Sequence, residues 1–155
     1  MKANTLRLGM NLWPPFLFSG IKVVRISEDY REVIVELRNR RFNMNYVGVH
    51  FGGALFSMTD PFFMLMLMNI LGRDYIVWDK AASIEYLKPS KGTLRAHFLI
   101  TDVVLDGVLS NTKEQGAKHF PQWPVEIKDQ SGDVVARVTK TLYVKRGRDQ
   151  RKRIA

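Results

Sequence analysis

Residues 54–71 of the 155-residue chain read ALFSMTDPFFMLMLMNIL. The apolar members run from Leu55, Phe56 and Met58 through Phe62, Phe63, Met64, Leu65, Met66, Leu67 and Met68 to Ile70. They fall on every face of a 3.6-residue helix rather than on one stripe. A helix of this kind must be wrapped on nearly all sides, by other elements or by lipid. Asp60 and Pro61 lie near its middle, and Ser57, Thr59 and Asn69 add polar groups. A carboxylate at bilayer depth costs about 2.5–3.5 kcal/mol on insertion scales. The segment therefore reads as the buried helix of a soluble protein and not as a transmembrane segment. Gly72 is placed to cap it.

Strand patterns lie on both sides of this helix. Upstream are Ile21–Ile26 and Arg31–Arg38, joined by the turn Ser27-Glu28-Asp29-Tyr30. Val33, Val35 and Leu37 alternate there with Glu32, Glu36 and Arg38, the period-two signature of a half-buried strand. Downstream, Ile76–Leu87 is extended and ends at Lys88-Pro89-Ser90-Lys91-Gly92. Leu94, Ala96, Phe98 and Ile100 then alternate with Arg95, His97 and Thr101. Gly107–Pro121 reads as an irregular excursion with one helical turn near Lys113-Glu114-Gln115. Val125–Asp129 and Val134–Lys145 close the chain as a hairpin through Gln130-Ser131-Gly132. Trp78 and Trp123 are expected to be packing anchors.

Two strands, one buried helix and four strands predict an α+β fold, a curved antiparallel sheet wrapped around one long central helix. Residues 1–20, with Trp13-Pro14-Pro15-Phe16, are expected as an N-terminal helical turn and loop. The sheet domain spans 21–145, and 146–155 form a basic tail. One sheet and one helix leave a sheet edge open, which a homodimer joined edge to edge would cover.

The net charge of +9 is concentrated at one end. Between Lys145 and Ala155 six cations face one acid, Asp149, so this stretch carries +5 of the total. Such an end reads either as a solvated tail or as an attraction for nucleotide phosphates, RNA or anionic lipid. It specifies no nucleic acid. The absence of cysteine excludes disulfides, thiolate metal sites and a thiol nucleophile. His50, His97 and His119 share no short metal-ligand spacing, so no metal or redox cofactor is implied.

Chemistry concentrates in residues 45–60. Gly52 and Gly53 precede the helix and leave backbone N–H groups open at its positive end, where a developing oxyanion is stabilised. Asp60, among Met58, Phe62 and Phe63, is expected to be desolvated and raised in pKa, which suits a general base or nucleophile. The plainer reading is a tight turn at the glycines and a loop contact for Asp60.

Asn45, Gly48, Gly52, Gly53 and Asp60 fall in register with a motif of the hotdog-fold thioesterases of the phenylacetate-pathway and acyl-CoA thioesterase type, which the chain resembles over residues 20–145. Within that family it looks nearest to an uncharacterised bacterial branch. Tyr86-Leu87-Lys88-Pro89 with Gly92, and Gly132-Asp133-Val134-Val135-Ala136, are similar to the family's later strand-turns. The resemblance implies that Asp60 activates water or attacks the thioester. Asn45 would hold the water or the carbonyl, and the Gly52 or Gly53 N–H would bind the thioester oxygen. Asn45 and Asp60 would come from different subunits of a dimer. Three residues depart from the pattern. Phe51 stands where the family has His, with His50 one place early. Asp79 replaces a Ser or Thr, as a second carboxylate or as a surface partner of Lys80. Pro61 should bend the helix.

Further candidates are Phe51, Met64 and Met68 as contacts for an acyl group, although core packing also explains methionines on this helix. Lys88, Lys91 and Arg95 could meet coenzyme A phosphates or form an ordinary solvated face. The expected function is a cytoplasmic thioesterase acting on an acyl-CoA or related thioester, as a homodimer or a dimer of two such dimers. The alternative is a non-catalytic hotdog module that binds an acyl-CoA or fatty acyl ligand.

Overall fold

The computed structural model describes residues 1–40 and 43–147. Two helices lead, α1 (Ala3–Leu12) and α2 (Pro14–Ser19), followed by the strands β1 (Ile21–Ile26) and β2 (Glu32–Leu37). The apolar segment forms α3 (Gly52–Ser57) and α4 (Phe62–Leu71), closed by a 3-10 turn at Gly72–Asp74. Then come β3 (Tyr75–Tyr86), β4 (Leu94–Leu99), α5 (Asp102–Asn111), β5 (Lys118–His119), β6 (Gln122–Lys128) and β7 (Val134–Arg146).

The strands build one antiparallel sheet in the order β1-β2-β4-β6-β7-β3, with the two-residue β5 beside β7. Alternation gives it an inner and an outer side. In β4, Leu94, Ala96 and Phe98 are buried, while Arg95, His97 and Leu99 are exposed. On the inner side α4 buries Phe62, Phe63, Met66 and Leu67. Six aromatic rings run through this core in contact: Trp13, Phe16, Phe62, Phe98, Phe63 and Trp123, with successive centroids 5.0–5.9 Å apart. Gly52–Asp74 is long and apolar enough to cross a membrane by length and composition alone. Here that segment lays its buried residues on the sheet.

Four details differ from the sequence reading. The central helix is broken, because Pro61 has no N–H to give. Thr59 and Asp60 donate instead to Phe56 and Ser57, three residues back, and the ladder resumes with Leu65 donating to Pro61. The helix is also wrapped on one side only, with Met64, Leu65, Ile70 and Leu71 half-buried on the flank away from the sheet. Residues 1–20 are two true helices rather than a turn and loop. Finally, the expected excursion at Gly107–Pro121 begins inside α5. The Thr101 hydroxyl caps this helix by accepting from the Val104 N–H at 3.3 Å. Trp123 packs as expected, but Trp78 is exposed on β3.

The Asn11 side chain of α1 bonds both backbone groups of Val23, accepting from its N–H at 2.7 Å and donating to its carbonyl at 3.0 Å. This occupies the outer edge of β1 beside a bulge between Val23 and Arg25, and shields it from stray strand pairing. The other edge is β3. The expected basic tail, 146–155, lies outside the described residues except for Arg146, which ends β7, and Gly147.

Candidate active site

Asp60 stands at the helix break, two residues before α4. Its side chain is 57% exposed rather than desolvated among Met58, Phe62 and Phe63 as expected, because the break turns it outward. One oxygen, Oδ1, accepts from Lys140 Nζ at 3.1 Å.

Lys140 is the residue the sequence reading missed. It is only 1% exposed and projects inward from β7 in the register of Val138, Leu142 and Val144. A lysine in the apolar register of a strand requires a buried counter-charge, and that signal was present in the sequence. Its ammonium is shared by two carboxylates, with Asp79 Oδ1 at 3.2 Å beside Asp60 Oδ1 at 3.1 Å. The Asp60 contact has hydrogen-bond geometry. The Asp79 contact is an ion pair, and among the described residues Oδ1 is buried without a hydrogen bond. Burial pushes the Asp79 carboxyl above the usual aspartate range. The charge and contact of Lys140 pull it back down, and the Asp60 charge adds to the rise. Asp79 therefore joins Asp60 rather than pairing with Lys80, whose ammonium sits 4.1 Å over the Phe120 ring.

A bulge in β3 sets which residues share this space. Asp79 pairs with Leu142, Ala81 with Thr141 and Ala82 with Lys140, so Lys80 is the extra residue. The shift puts Ala82, Ile84 and Tyr86 on the helix side, in place of Ala81, Ser83 and Glu85. Tyr86 then reaches Gly52, where an added Cβ would lie 2.8 Å from its hydroxyl.

The loop before α3 is fixed by its own polar groups. Asn45 Oδ1 accepts from the Val47 N–H at 3.1 Å and the Val49 N–H at 3.2 Å, so this oxygen holds the loop. His50 is buried, with Nε2 2.6 Å from the Gly92 carbonyl and its own N–H bonded to Ser90. It faces away from the position that Phe51 occupies. The Phe51 ring is 58% exposed and covers Gly53, where an added Cβ would collide with it. The first helical bonds of α3 run from Ala54 and Leu55 to the Phe51 carbonyl, which leaves the Gly52 and Gly53 N–H groups ahead of the ladder. A cavity of about 270 Å³ opens there, lined by Phe18, Phe51, Gly53, Ala54 and Ser57. Phe18, from α2, was not foreseen.

The other candidates are scattered. Met64 and Met68 lie half-buried on α4. Lys88 is tied to Asp129 at 3.0 Å and Asp133 at 2.6 Å. Arg95 is tied to Glu36 at 2.9 Å on the outer side of the sheet, away from Asp60. Lys91 is exposed beside Gly48.

A family model described as a domain of unknown function, DUF4442, matches residues 2–144. None of the curated proteins matches the sequence. Among solved structures the chain is similar to PA5026 of Pseudomonas aeruginosa, described as a probable thioesterase, with TM-score 0.79 and 18% identity over 94% of this chain and 97% of that one. It is also similar to the thioesterase HI1161 of Haemophilus influenzae, with TM-score 0.70 and 14% identity over 97% and 95%. A third similar structure is the PaaI protein of the Escherichia coli phenylacetic acid degradation operon, with TM-score 0.63 and 19% identity over 94% and 95%. At these identities the likeness establishes the fold, which is the hotdog expected from Asn45 to Asp60 and the strands around them. The chain is thus a hotdog-fold protein and belongs to the DUF4442 family.

Proposed function

We propose that this protein is a cytoplasmic thioesterase that hydrolyses an acyl-CoA-like thioester, with Asp60 as general base or nucleophile. The observation that carries this reading is an exposed carboxylate anchored through one oxygen by a fully buried lysine, with its other oxygen left to act. The thioesterases among the similar structures support the same chemistry. In the general-base route, Asp60 takes a proton from water as the water oxygen attacks the thioester carbonyl. The resulting oxyanion is met by the Gly52 or Gly53 N–H, and its collapse expels the thiolate.

Gly53 and Asp60 are seven residues apart, roughly 10 Å along a helical path. That is a long span for one carbonyl and its attacking water to bridge in a single chain. This favours a site shared by two copies, each bringing its Asp60 to the other's glycines, with β3 as the edge that joins them. Of the three candidate cations, Lys91 is the one left to meet an acyl carrier's phosphates, since Lys88 and Arg95 are already paired.

The test is thiol release from short-, medium- and long-chain acyl-CoAs, run beside Asp60→Asn. Loss of a general base lowers turnover by about 100- to 10,000-fold. Equal, background-level release from both proteins would leave the second reading, a non-catalytic binding module. That reading is favoured by the Phe51 ring, which covers Gly53 where the family has a histidine.

A further inference from the structure

We propose that Lys140 is a positioning residue shared by Asp60 and Asp79, and that Asp79 keeps Asp60 able to accept the proton of the attacking water. This rests on the thioesterase reading of Asp60, in which Lys140 only anchors the carboxylate, and assigns work to Asp79, which that reading leaves unused.

The argument is a charge count in a confined space. Lys140 is buried, and its ammonium lies 3.1 Å from Asp60 and 3.2 Å from Asp79. Before the chemical step the cluster holds two carboxylates and one ammonium. When Asp60 takes the water proton, the carboxylate left is Asp79, and it still neutralises Lys140. Without Asp79 the same proton transfer would strand a lone ammonium inside the protein, which is strongly unfavourable. Lys140 alone would therefore hold Asp60 in place but weaken it as a base, and Asp79 offsets that weakening. Without Lys140, two carboxylates would face each other with no cation, and Asp60 would lose the bond that orients it.

The charged groups involved come from three elements: Asp60 from the α3–α4 junction, Asp79 from β3 and Lys140 from β7. Among the described residues, no other titratable side chain forms an ion pair with any of the three. Coupling between Asp60 and Asp79 is reciprocal, so it can be read from either carboxylate.

The experiment follows the Asp79 carboxylate by carbon-13 NMR during a pH titration of the full chain. Wild type, Asp60→Asn and Lys140→Met are compared. The Asp79 midpoint is expected to fall in Asp60→Asn and to rise in Lys140→Met, each by about 1 pH unit. In parallel, the acid limb of the kcat/KM profile is expected to move to lower pH in Asp79→Asn. Lys140→Met is expected to lower kcat more than it changes KM. Should Lys140→Met fail to fold, Lys140→Met with Asp79→Asn removes both buried charges, and its kcat is still expected to fall. An Asp79 midpoint unmoved by Asp60→Asn overturns the proposal. An inactive wild type whose Asp79 midpoint still moves would sink the thioesterase reading and leave the shared cluster standing.

Discussion

His50 and Asp79 show how a single side chain is committed by its partners. The Gly92 carbonyl can only accept, so His50 Nε2 carries the proton of that bond, while Nδ1 is buried with no partner among the described residues. The imidazole is a staple between two loops. His50→Ala is expected to destabilise the fold by about 1–3 kcal/mol in urea unfolding, with a smaller effect on turnover than Asp60→Asn. For Asp79 the sign follows from burial, which raises its folded value above that of the unfolded chain. Its contribution to stability is present below the ordinary aspartate value and is lost as pH rises through the folded value. Asp79→Asn should therefore flatten the stability profile between those two values, as measured by denaturation at several pH values. His50 is one place from Phe51 in sequence, and the alternation of a short bridge, in which it pairs with Met44, turns it to the other side. Spacing alone identified the motif but could not say which neighbour faces the site.

At the scale of elements, the junctions decide more than the elements themselves. Gly20 ends α2 with φ +76°, and an added Cβ would lie 3.0 Å from the Arg38 carbonyl oxygen and 2.8 Å from the Asn43 amide nitrogen. The same buried Asn43 amide donates to the Ser19 and Arg38 carbonyls, tying α2 to the end of β2. Gly20→Ala is expected to cost at least about 1–2 kcal/mol from the left-handed backbone alone. Gly9→Ala, in the open interior of α1, is expected to stabilise by about 0.5–1 kcal/mol. Thermal melts of both variants would check the contrast. Strands were legible because Val33, Val35 and Leu37, or Leu94, Ala96 and Phe98, alternate without interruption. By contrast α5 was hidden, since Gly107 interrupts its helical pattern and its apolar residues Val103, Leu105 and Val108 resemble a strand as much as a helix.

Across the molecule, the chain of six rings joins the N-terminal helices to α4 and to β4 and β6. Phe98 lies at its centre, 5.0 Å from Phe62 and 5.1 Å from Phe63. Phe98→Ala is expected to cost about 3–5 kcal/mol in chemical denaturation, a large share of the stability of a domain this size. The general architecture could be read from the sequence because a helix apolar on every face permits few partners. The Lys140 cluster could not be read by motif, since its members are separated by 19 and 61 residues and meet only through strand register.

The bulge in β3 gives that strand one residue more than its ladder needs. Removing Lys80 would leave Asp79 opposite Leu142 and Ala82 opposite Lys140 in an unbroken ladder, with every side chain still on its own face. The contact of Lys80 with Phe120 would be the loss. Adding one residue to the same stretch would instead turn Ala82, Ile84 and Tyr86 toward solvent unless a second bulge formed. This strand can therefore be expected to tolerate shortening by one residue across related sequences, and to resist lengthening by one.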